Sequence, residues 1–397
     1  MKKLTLIVLA MALSVAVFHS CNEPLTEDLT SDELSLKSAS VAKSYIVVLN
    51  DAELNAELEN QIGYEAKQKV AKSAAEKVMK RAGITDGELG FVYGTAIKGF
   101  SVKIAPGQLK KLQDDPSVKY IEEDQIVTLV IPELRINGKP TKPTAPSETI
   151  PWGVERVNGG VSGVGKTAWI IDTGIDLTHP DLNVDPNRGV SYVTGVTSPN
   201  DDNGHGTHCA GIVAARDNDI GVIGVAAGAT VVPVKVLNRR GSGTYDAIIA
   251  GVNYVAANGS SGDVANMSLG GGFSKALNDA VIAASAKVKF TLAAGNESTS
   301  ATLKSPASAN GNNIYTISAM AQGDLWASYS NYDNPPVDYC EPGSSIYSTY
   351  KGGGYATMSG TSMAAPHMAG LLLLGVFKTD GFVQNDTDGN PDPIGVH

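Results

Sequence analysis

The chain has 397 residues, of which 42% are hydrophobic and 18% are charged. This length exceeds that of one ordinary domain and allows two, each with a core of its own. The net charge of −10 argues against a nucleic-acid partner, because proteins that bind nucleic acids carry basic surfaces that neutralise phosphates.

Residues 1–20 have the pattern of an export signal, with two lysines before an apolar run over residues 4–18 that is too short to span a bilayer. The run ends in the sequence HSC, which resembles a bacterial lipoprotein box whose cysteine is lipidated. Because Phe18 and His19 depart from the usual box, two interpretations stay open. The protein is either a lipoprotein anchored through Cys21 at the outer membrane or cell surface, or a secreted protein. Both interpretations predict export.

A small domain is predicted after a polar, aperiodic tether over residues 21–43. Residues 44–128 alternate strand and helix patterns in the order β, long α, β, β, α, β, and the long helix is predicted over residues 52–82. This order is typical of an α+β, ferredoxin-like domain. The prolines within residues 129–150 then predict an extended linker.

Residues 151–397 show short apolar runs that alternate with helical patterns. Strands are predicted at 168–172, 231–237, 263–269, 288–294 and 312–320, with helices near 205–215, 245–258 and 274–287. The alternation predicts a three-layer α/β domain, in which helices cover both faces of a parallel sheet. Sites in such folds gather at the carboxyl ends of strands, where Asp172 and Asn296 fall.

Three motifs in this domain supply the groups that nucleophilic acyl transfer requires. Asp172 ends a strand in the sequence DTG, His205 opens a helix in HGTHCAG, and Ser362 opens another helix in GTSMAAP. A helix N-terminus favours the negative charge that develops during nucleophilic attack. In a fourth motif, AAGNE, the side chain of Asn296 offers an amide donor for an oxyanion.

With Asp, His and Ser in this order in these motifs, the chain closely resembles the subtilisin-like serine proteases over residues 150–377, and HGTHCAG is close to their proteinase K-like branch. The resemblance implies that Asp172 orients His205 and that His205 acts as general base and acid. It also implies that Ser362 attacks the peptide, and that Asn296 with the Ser362 N–H binds the oxyanion.

The small domain resembles the inhibitor prodomain of the same family in residues 45–49, 97–102 and 118–124. The resemblance implies a domain that assists folding and places its C-terminal tail in the active-site cleft. It further implies a self-processing zymogen that is cut for maturation within residues 129–150. An unrelated ferredoxin-like module is the alternative for this domain taken alone.

Two glycine-rich segments match those that bind substrate in this family, where the peptide adds as an extended strand. The implied residues are Gly241, Ser242, Gly243, Ser268, Leu269, Gly270 and Gly271. Because no acid in these segments would pair with a basic side chain, we expect broad cleavage after apolar or aromatic residues.

The family resemblance also implies a structural calcium ion, because the turn after residue 215 offers the hard oxygen ligands that calcium prefers. Asp181 and Asn218 would contribute side-chain oxygens, and Arg216, Ile220 and Val222 would contribute main-chain carbonyls. An ordinary acidic turn is the alternative. No metal is expected in catalysis.

Several further residues are interpreted as structural. Cys209 and Cys340 are either two free buried thiols or one bridge, and we favour free thiols, since two cysteines do not make a disulfide framework. His208 is interpreted as a structural histidine of its helix, and the oxygen-rich residues 385–392 as a solvated tail.

The sequence therefore predicts an exported, monomeric serine endopeptidase that acts on proteins or peptides and is inhibited by its own prodomain. Two alternatives differ in class. One is a catalytically inactive surface binding protein on the same fold, which the complete set of catalytic residues disfavours. The other is a peptide ligase or cyclase that uses the same site, and the sequence does not separate it from a hydrolase.

Overall fold

Residues 41–50, 52–136 and 146–397 are described by the computed structural model. The predicted signal peptide, Cys21, most of the tether and part of the linker lie outside these ranges. Among the described helices, none combines the length and the apolar composition that crossing a membrane would require.

An antiparallel four-stranded sheet and three helices form the first domain. Its elements are β1 (Lys43–Leu49), α1 (Ala52–Glu59), α2 (Tyr64–Arg81), β2 (Glu88–Gly94), β3 (Lys98–Ile104), α3 (Leu109–Gln113) and β4 (Val118–Glu123). The strand order is β2-β3-β1-β4. Alternate side chains of β1, including Tyr45 and Val47, pack in one core with Val78 of α2, because successive strand residues face opposite sides of a sheet. The predicted α+β architecture is confirmed.

The single long helix predicted over residues 52–82 is wrong, because the chain turns between two helices. Helix α1 ends at Glu59 and α2 begins at Tyr64, and Gly63 between them has a φ of +84°. Glycine adopts this left-handed conformation without the clash that a Cβ would cause. The helical composition of the segment concealed this turn.

The rest of the chain forms the second domain and the strands that lie against it. Its helices are α4 (Trp152–Arg156), α5 (His205–Ala214), α6 (Tyr245–Asn258), α7 (Lys275–Ala284) and α8 (Thr361–Leu374). Its strands are β5 (Ile126–Thr128), β6 (Glu133–Ile136), β7 (Val161–Ser162), β8 (Thr167–Asp172), β9 (Asn183–Val184), β10 (Val190–Ser191), β11 (Ala226–Ala227), β12 (Thr230–Lys235), β13 (Ser242–Thr244), β14 (Val264–Met267), β15 (Gly271–Gly272), β16 (Lys289–Ala293), β17 (Lys304–Ser305), β18 (Ile314–Ala321), β19 (Leu325–Trp326), β20 (Val337–Pro342), β21 (Ile346–Tyr350), β22 (Gly354–Ser359), β23 (Lys378–Phe382) and β24 (Pro393–Val396).

A nine-stranded, mostly parallel sheet is the centre of this domain. Its main path is β10-β12-β8-β14-β16-β18-β19, with β9 beside β12 and β20 beside β18. In β8, Ala168 and Ile170 pack with residues of α5 and α8 on one face. Trp169 and Ile171 pack with residues of α6 and α7 on the other face. The predicted three-layer α/β fold is therefore confirmed.

The segment between the two domains adds strands to the second domain. Strand β5 pairs antiparallel with β13, and β6 pairs antiparallel with β22, the strand that leads into α8. The end of the predicted first domain, residues 126–128, and part of the predicted linker, residues 133–136, are thus both paired with strands of the second domain.

Strands β23 and β24 form a hairpin at the C-terminus. Val383, Ile394 and Val396 are buried with Cys340. Asp392 is only 1% exposed and accepts hydrogen bonds from the Ser318 hydroxyl and the Asn334 amide. The interpretation of residues 385–392 as a solvated tail is therefore wrong at its last residue. Cys209 and Cys340 are both buried and free, as expected.

Two carboxylates of the first domain lie at helix N-termini of the second. Glu122 accepts hydrogen bonds from the Ala276 N–H of α7 (3.1 Å) and from the Ser274 hydroxyl. Asp124 accepts one from the Asp246 N–H of α6 (3.1 Å). The first N–H groups of a helix lack partners within it and carry partial positive charge. The first domain therefore completes two helices of the second.

We expect Glu122→Gln to lower the free energy of unfolding of the full chain by about 0.5–2 kcal/mol, because the substitution removes the charge that caps α7. Denaturant unfolding of the chain carrying Ser362→Ala, which prevents self-digestion, measures this. Glu123→Gln is the matched control, since Glu123 is exposed and pairs with Lys43 of its own domain. Equal effects of the two substitutions would contradict the capping role.

Candidate active site

Asp172 and His205 form a buried pair where β8 ends and α5 begins. His205 Nδ1 lies 2.8 Å from Asp172 Oδ1 and 3.0 Å from Oδ2, and both side chains are 0% exposed. A carboxylate only accepts hydrogen bonds, so Nδ1 is the donor. The other ring nitrogen, Nε2, has no hydrogen-bond partner in the described part of the chain.

Burial and charge act in opposite directions on the pKa of His205. Burial lowers the pKa, but the charge of Asp172 raises it, and Cys209 and the hydrogen bond to Asp172 raise it further, so the pKa lies well above the ordinary histidine value. The pair therefore stabilises an imidazolium, which is the species that a histidine base becomes when it takes a proton.

Ser362 lies in the first turn of α8 beside this pair. Its hydroxyl donates to the main-chain carbonyl of Ser268 (3.1 Å). The Cys209 sulfur lies 4.0 Å from His205 Nδ1 and 3.4 Å from the Ser362 carbonyl oxygen, so the imidazole and the Ser362 main chain border the same thiol. The structure thus brings the three motifs together, with the hydroxyl turned toward Ser268.

Pro366 determines how the Ser362 main chain is held. A proline has no N–H, so the helical hydrogen bond to the carbonyl four residues earlier is missing. That carbonyl belongs to Ser362, and it accepts instead from the Ser268 hydroxyl (2.7 Å) and the Cys209 thiol. The proline therefore frees a main-chain acceptor that ties α8 to Ser268.

Asn296 already binds a peptide carbonyl. Its Nδ2 donates to the carbonyl oxygen of Val130 at 2.8 Å. Its Oδ1 accepts from the N–H (2.8 Å) and the hydroxyl (2.9 Å) of Thr361, which fixes the orientation of the amide. Sequence reasoning missed Thr361, although its place beside Ser362 in the GTS motif was a signal.

The predicted substrate segments contact residues 126–130. Gly243 is the register partner of Val127, and the carbonyl of Gly241 accepts from the Leu129 N–H (2.9 Å). The hydroxyls of Ser242 and Thr128 are hydrogen-bonded (2.9 Å). A small cavity of about 30 Å³ lies beside Val130, and Leu269, Gly270 and Gly271 line it together with Asn296 and Ser362.

The predicted calcium residues form one cluster. The Asp181 carboxylate accepts hydrogen bonds from the Asn218 side-chain amide (2.9 Å) and the Val222 N–H (3.0 Å). The main-chain carbonyl of Asp181 accepts one from the Arg216 N–H (3.0 Å). The Ile220 N–H donates to Asn218 Oδ1 (2.8 Å). The Glu148 carboxylate, which sequence reasoning missed, accepts from the Asn218 N–H. Burial raises the pKa of Asp181 to about 6, and the charge of Glu148 contributes.

The other histidines near the site bind main-chain carbonyls. His208 Nε2 contacts the carbonyls of Ile346 and Ala356 (both 3.1 Å), and His367 Nδ1 contacts that of Met363 (2.8 Å). Burial lowers the pKa of His208 to about 3 and that of His367 to about 4. Both rings are therefore neutral, which agrees with a structural role.

Asp172→Asn is expected to move the pKa of His205 from above its ordinary value to below it, because burial remains while the raising charge is lost. NMR titration of the imidazole in the chain carrying Ser362→Ala measures the shift. His367 is the internal control, because its pKa depends on burial and on a main-chain carbonyl. An unchanged pKa of His205 would show that Asp172 does not set it.

Comparison with known proteins identifies two family matches. Residues 165–382 match the subtilase family (Peptidase_S8), and residues 44–130 match the peptidase inhibitor I9 family. Together these matches agree with the resemblance stated for each domain.

Individual relatives carry similar names. The chain is 36% identical to alkaline serine exoprotease A of Vibrio alginolyticus, over 88% of this chain and 62% of that protein. It is 40% identical to the subtilisin-like serine protease AsES of Sarocladium strictum, over 75% of each. A crystal structure of a cold-adapted subtilisin-like serine proteinase is 37% identical, with a TM-score of 0.56, over 61% of this chain and 96% of that one. The chain therefore belongs to the subtilase family of serine proteases and carries an I9-type inhibitor domain ahead of its peptidase domain.

Proposed function

We propose that this protein is a serine endopeptidase made as a zymogen, and that it first cleaves its own bond between Val130 and Ile131. The observation that carries this proposal is the 2.8 Å hydrogen bond from Asn296 to the Val130 carbonyl. An amide donor on a peptide carbonyl beside a serine is the arrangement from which acyl transfer starts. A catalytically inactive binding protein would not need it.

The proposed reaction has two steps, acylation of Ser362 and hydrolysis of the acyl-enzyme, and both steps use the same groups. His205 Nε2 takes the proton of the Ser362 hydroxyl, and the oxygen attacks the Val130 carbonyl carbon. Asn296 Nδ2 and the Ser362 N–H bind the oxyanion, while Asp172 stabilises the imidazolium. The imidazolium then gives its proton to the nitrogen of Ile131, which leaves and breaks the peptide bond. Water, deprotonated by His205, hydrolyses the acyl-enzyme in the same way.

We propose that substrates bind as extended strands on both sides of the cleaved bond. The support is the pairing of β5 with β13 before the bond and of β6 with β22 after it. Glu297 lines the cavity beside Val130, but its carboxylate is paired with Lys304 Nζ (3.0 Å). This pairing leaves no free charge to select a charged side chain, so the proposed specificity is for uncharged residues such as the valine already present.

We propose a structural calcium ion at Asp181 and residues 216–222. The donor set fits this ion, because Asp181, Asn218 and Glu148 offer side-chain oxygen ligands and Asn218 hydrogen-bonds to both carboxylates. Asp181 is fully buried, and the Glu148 carboxylate contacts the same residue, Asn218, so two acidic groups meet here and a bound cation would compensate their charge. The carbonyls of Arg216, Ile220 and Val222 would complete the set. The ion would stabilise the fold, and no catalytic step uses it.

We also propose export, followed by action as a monomer outside the cytoplasm. The proposal of export rests on the sequence of residues 1–21, which lie outside the described ranges. The mass of the N-terminal peptide would separate a lipoprotein modified at Cys21 from a secreted protein.

Intact mass spectrometry of the expressed protein should show a chain that begins at Ile131, together with the released N-terminal fragment. The same chain with Ser362→Ala should stay whole, because self-cleavage requires the nucleophile. Ser260→Ala, a substitution at an exposed serine, serves as control and should mature normally. Trimming of the Ser362→Ala chain at the same bond would mean that another protease makes the cut. A different first cut in the wild type would refute the assignment of Val130.

Calcium at about 100 times its dissociation constant should raise the free energy of unfolding by about 2.7 kcal/mol over the chelated protein. Thermal unfolding of the Ser362→Ala chain, with calcium and with a chelator, measures the difference. Asp181→Asn and Glu148→Gln should reduce the calcium effect. Asp217→Asn, at an exposed acid of the same loop, should reduce it less. Equal stability with and without calcium would exclude the site.

A further inference from the structure

The side chain of Asn331 makes all of its hydrogen bonds to the loop that carries Asn296. It is fully buried, and its Nδ2 donates to the Ala294 carbonyl (2.9 Å) and to Glu297 Oε2 (2.8 Å). Its Oδ1 accepts from the N–H groups of Glu297 and Thr299 (both 3.0 Å). A side-chain amide offers two donors and two acceptor positions, so its full hydrogen-bonding capacity is used on residues 294–299.

The loop folds closely around this amide. The Asn331 N–H donates to the Gly295 carbonyl (3.0 Å), and Gly295 has a φ of +108°. A Cβ added to Gly295 would lie 2.2 Å from Asn331 Nδ2. Only glycine allows this approach, so the main chain immediately before Asn296 takes its shape from Asn331.

A carboxylate connects Asn331 to Asn296 itself. Glu297 Oε2 accepts from Asn331 Nδ2 and also from the Asn296 N–H (3.0 Å). The second oxygen, Oε1, pairs with Lys304. The main chain is therefore held on both sides of Asn296, through Ala294 and Gly295 before it and through Glu297 after it.

We propose that Asn331 is a positioning residue for oxyanion binding, which it serves by holding the loop of Asn296. The inference rests on the proposed function, in which Asn296 donates to the oxyanion. Asn331 has no hydrogen bond to residues 126–136 among those described, so it would act only through the loop. An oxyanion donor stabilises the transition state only if its position is fixed in advance, and a misplacement of about 1 Å can cost about 10²-fold in rate.

Steady-state hydrolysis of a peptide substrate by the matured enzyme tests this with three variants. Asn296→Ala is expected to lower kcat by about 10²–10³-fold, which is the usual cost of removing one oxyanion donor. Asn331→Ala should lower kcat by about 10–10²-fold and change KM by less than about threefold. The double variant should be no slower than Asn296→Ala alone, since the loop would then have no donor left to position.

The positioning role is overturned if the fold-loss in kcat of the double variant equals the product of the two single-variant losses. It is also overturned if Asn331→Ala leaves kcat unchanged. If Asn296→Ala itself leaves kcat unchanged, the proposed oxyanion donor is wrong, and the role of Asn331 falls with it. The single Asn296→Ala variant thus separates a failure of the proposed function from a failure of the inference.

A second substitution keeps the test open if Asn331→Ala does not mature. Asn331→Asp keeps the two acceptor bonds and loses both donors, so a peptide aldehyde that mimics the tetrahedral intermediate should bind more weakly by the same factor as the loss in kcat. Asn278→Ala is the control, because Asn278 is also buried and bonds to Ser308. Asn278→Ala should lower the melting temperature without lowering kcat. A kcat loss equal to that of the Asn331 variant would overturn the positioning role.

Discussion

The hydrogen bond between Asp172 and His205 is the interaction on which the rest of the site depends. Both side chains are removed from water, so the carboxylate acts on the imidazole with little screening. The fold makes this pair possible, because β8 ends at Asp172 in the middle of the sheet and α5 begins at His205 beside it. Burial alone would keep the ring neutral at every relevant pH, as it does for His208. The neighbouring carboxylate reverses that effect and gives one buried histidine of this domain a base's properties.

Ser362, the proposed nucleophile, is held by a different interaction, which depends on one hydrogen bond that is missing from helix α8. Pro366 removes one helical hydrogen bond, and the freed carbonyl of Ser362 is taken by Ser268 and Cys209. Helix α8 is otherwise fully buried through Leu373, so an unsatisfied carbonyl there would be costly. The missing hydrogen bond, which would weaken an ordinary helix, therefore fixes the main chain of Ser362 against Ser268. A local cost in helix stability is offset by a contact made only in the folded domain.

The sequence predicted the fold correctly, and it predicted residues that the structure brings together, because the signals for both are local. Asp172, His205 and Ser362 each stand in a short motif at the end of a strand or the start of a helix, and the strand and helix periods predicted the parallel sheet. The residues it missed, Glu148, Thr361 and Asn331, act through contacts made across the fold. The hydrogen bonds of Asn331 reach residues more than thirty positions earlier, and nothing near Asn331 in the sequence indicates them. The turn at Gly63 was missed for another reason, since the residues on both sides of it favour helix.

The contacts around Val130 would also keep the enzyme inhibited after the proposed cleavage. Hydrolysis breaks one covalent bond, but it removes none of the hydrogen bonds between β5 and β13 or between β6 and β22. The caps that Glu122 and Asp124 place on α7 and α6 also remain. The new carboxyl group of Val130 would stay beside Asn296, where a negatively charged oxygen is bound more strongly than the peptide carbonyl it replaces. Cleavage at the proposed bond would therefore convert the segment from a substrate into a bound product. Activity would then have to wait for the first domain to dissociate together with β5, because β5 and the two caps would hold the product in the cleft.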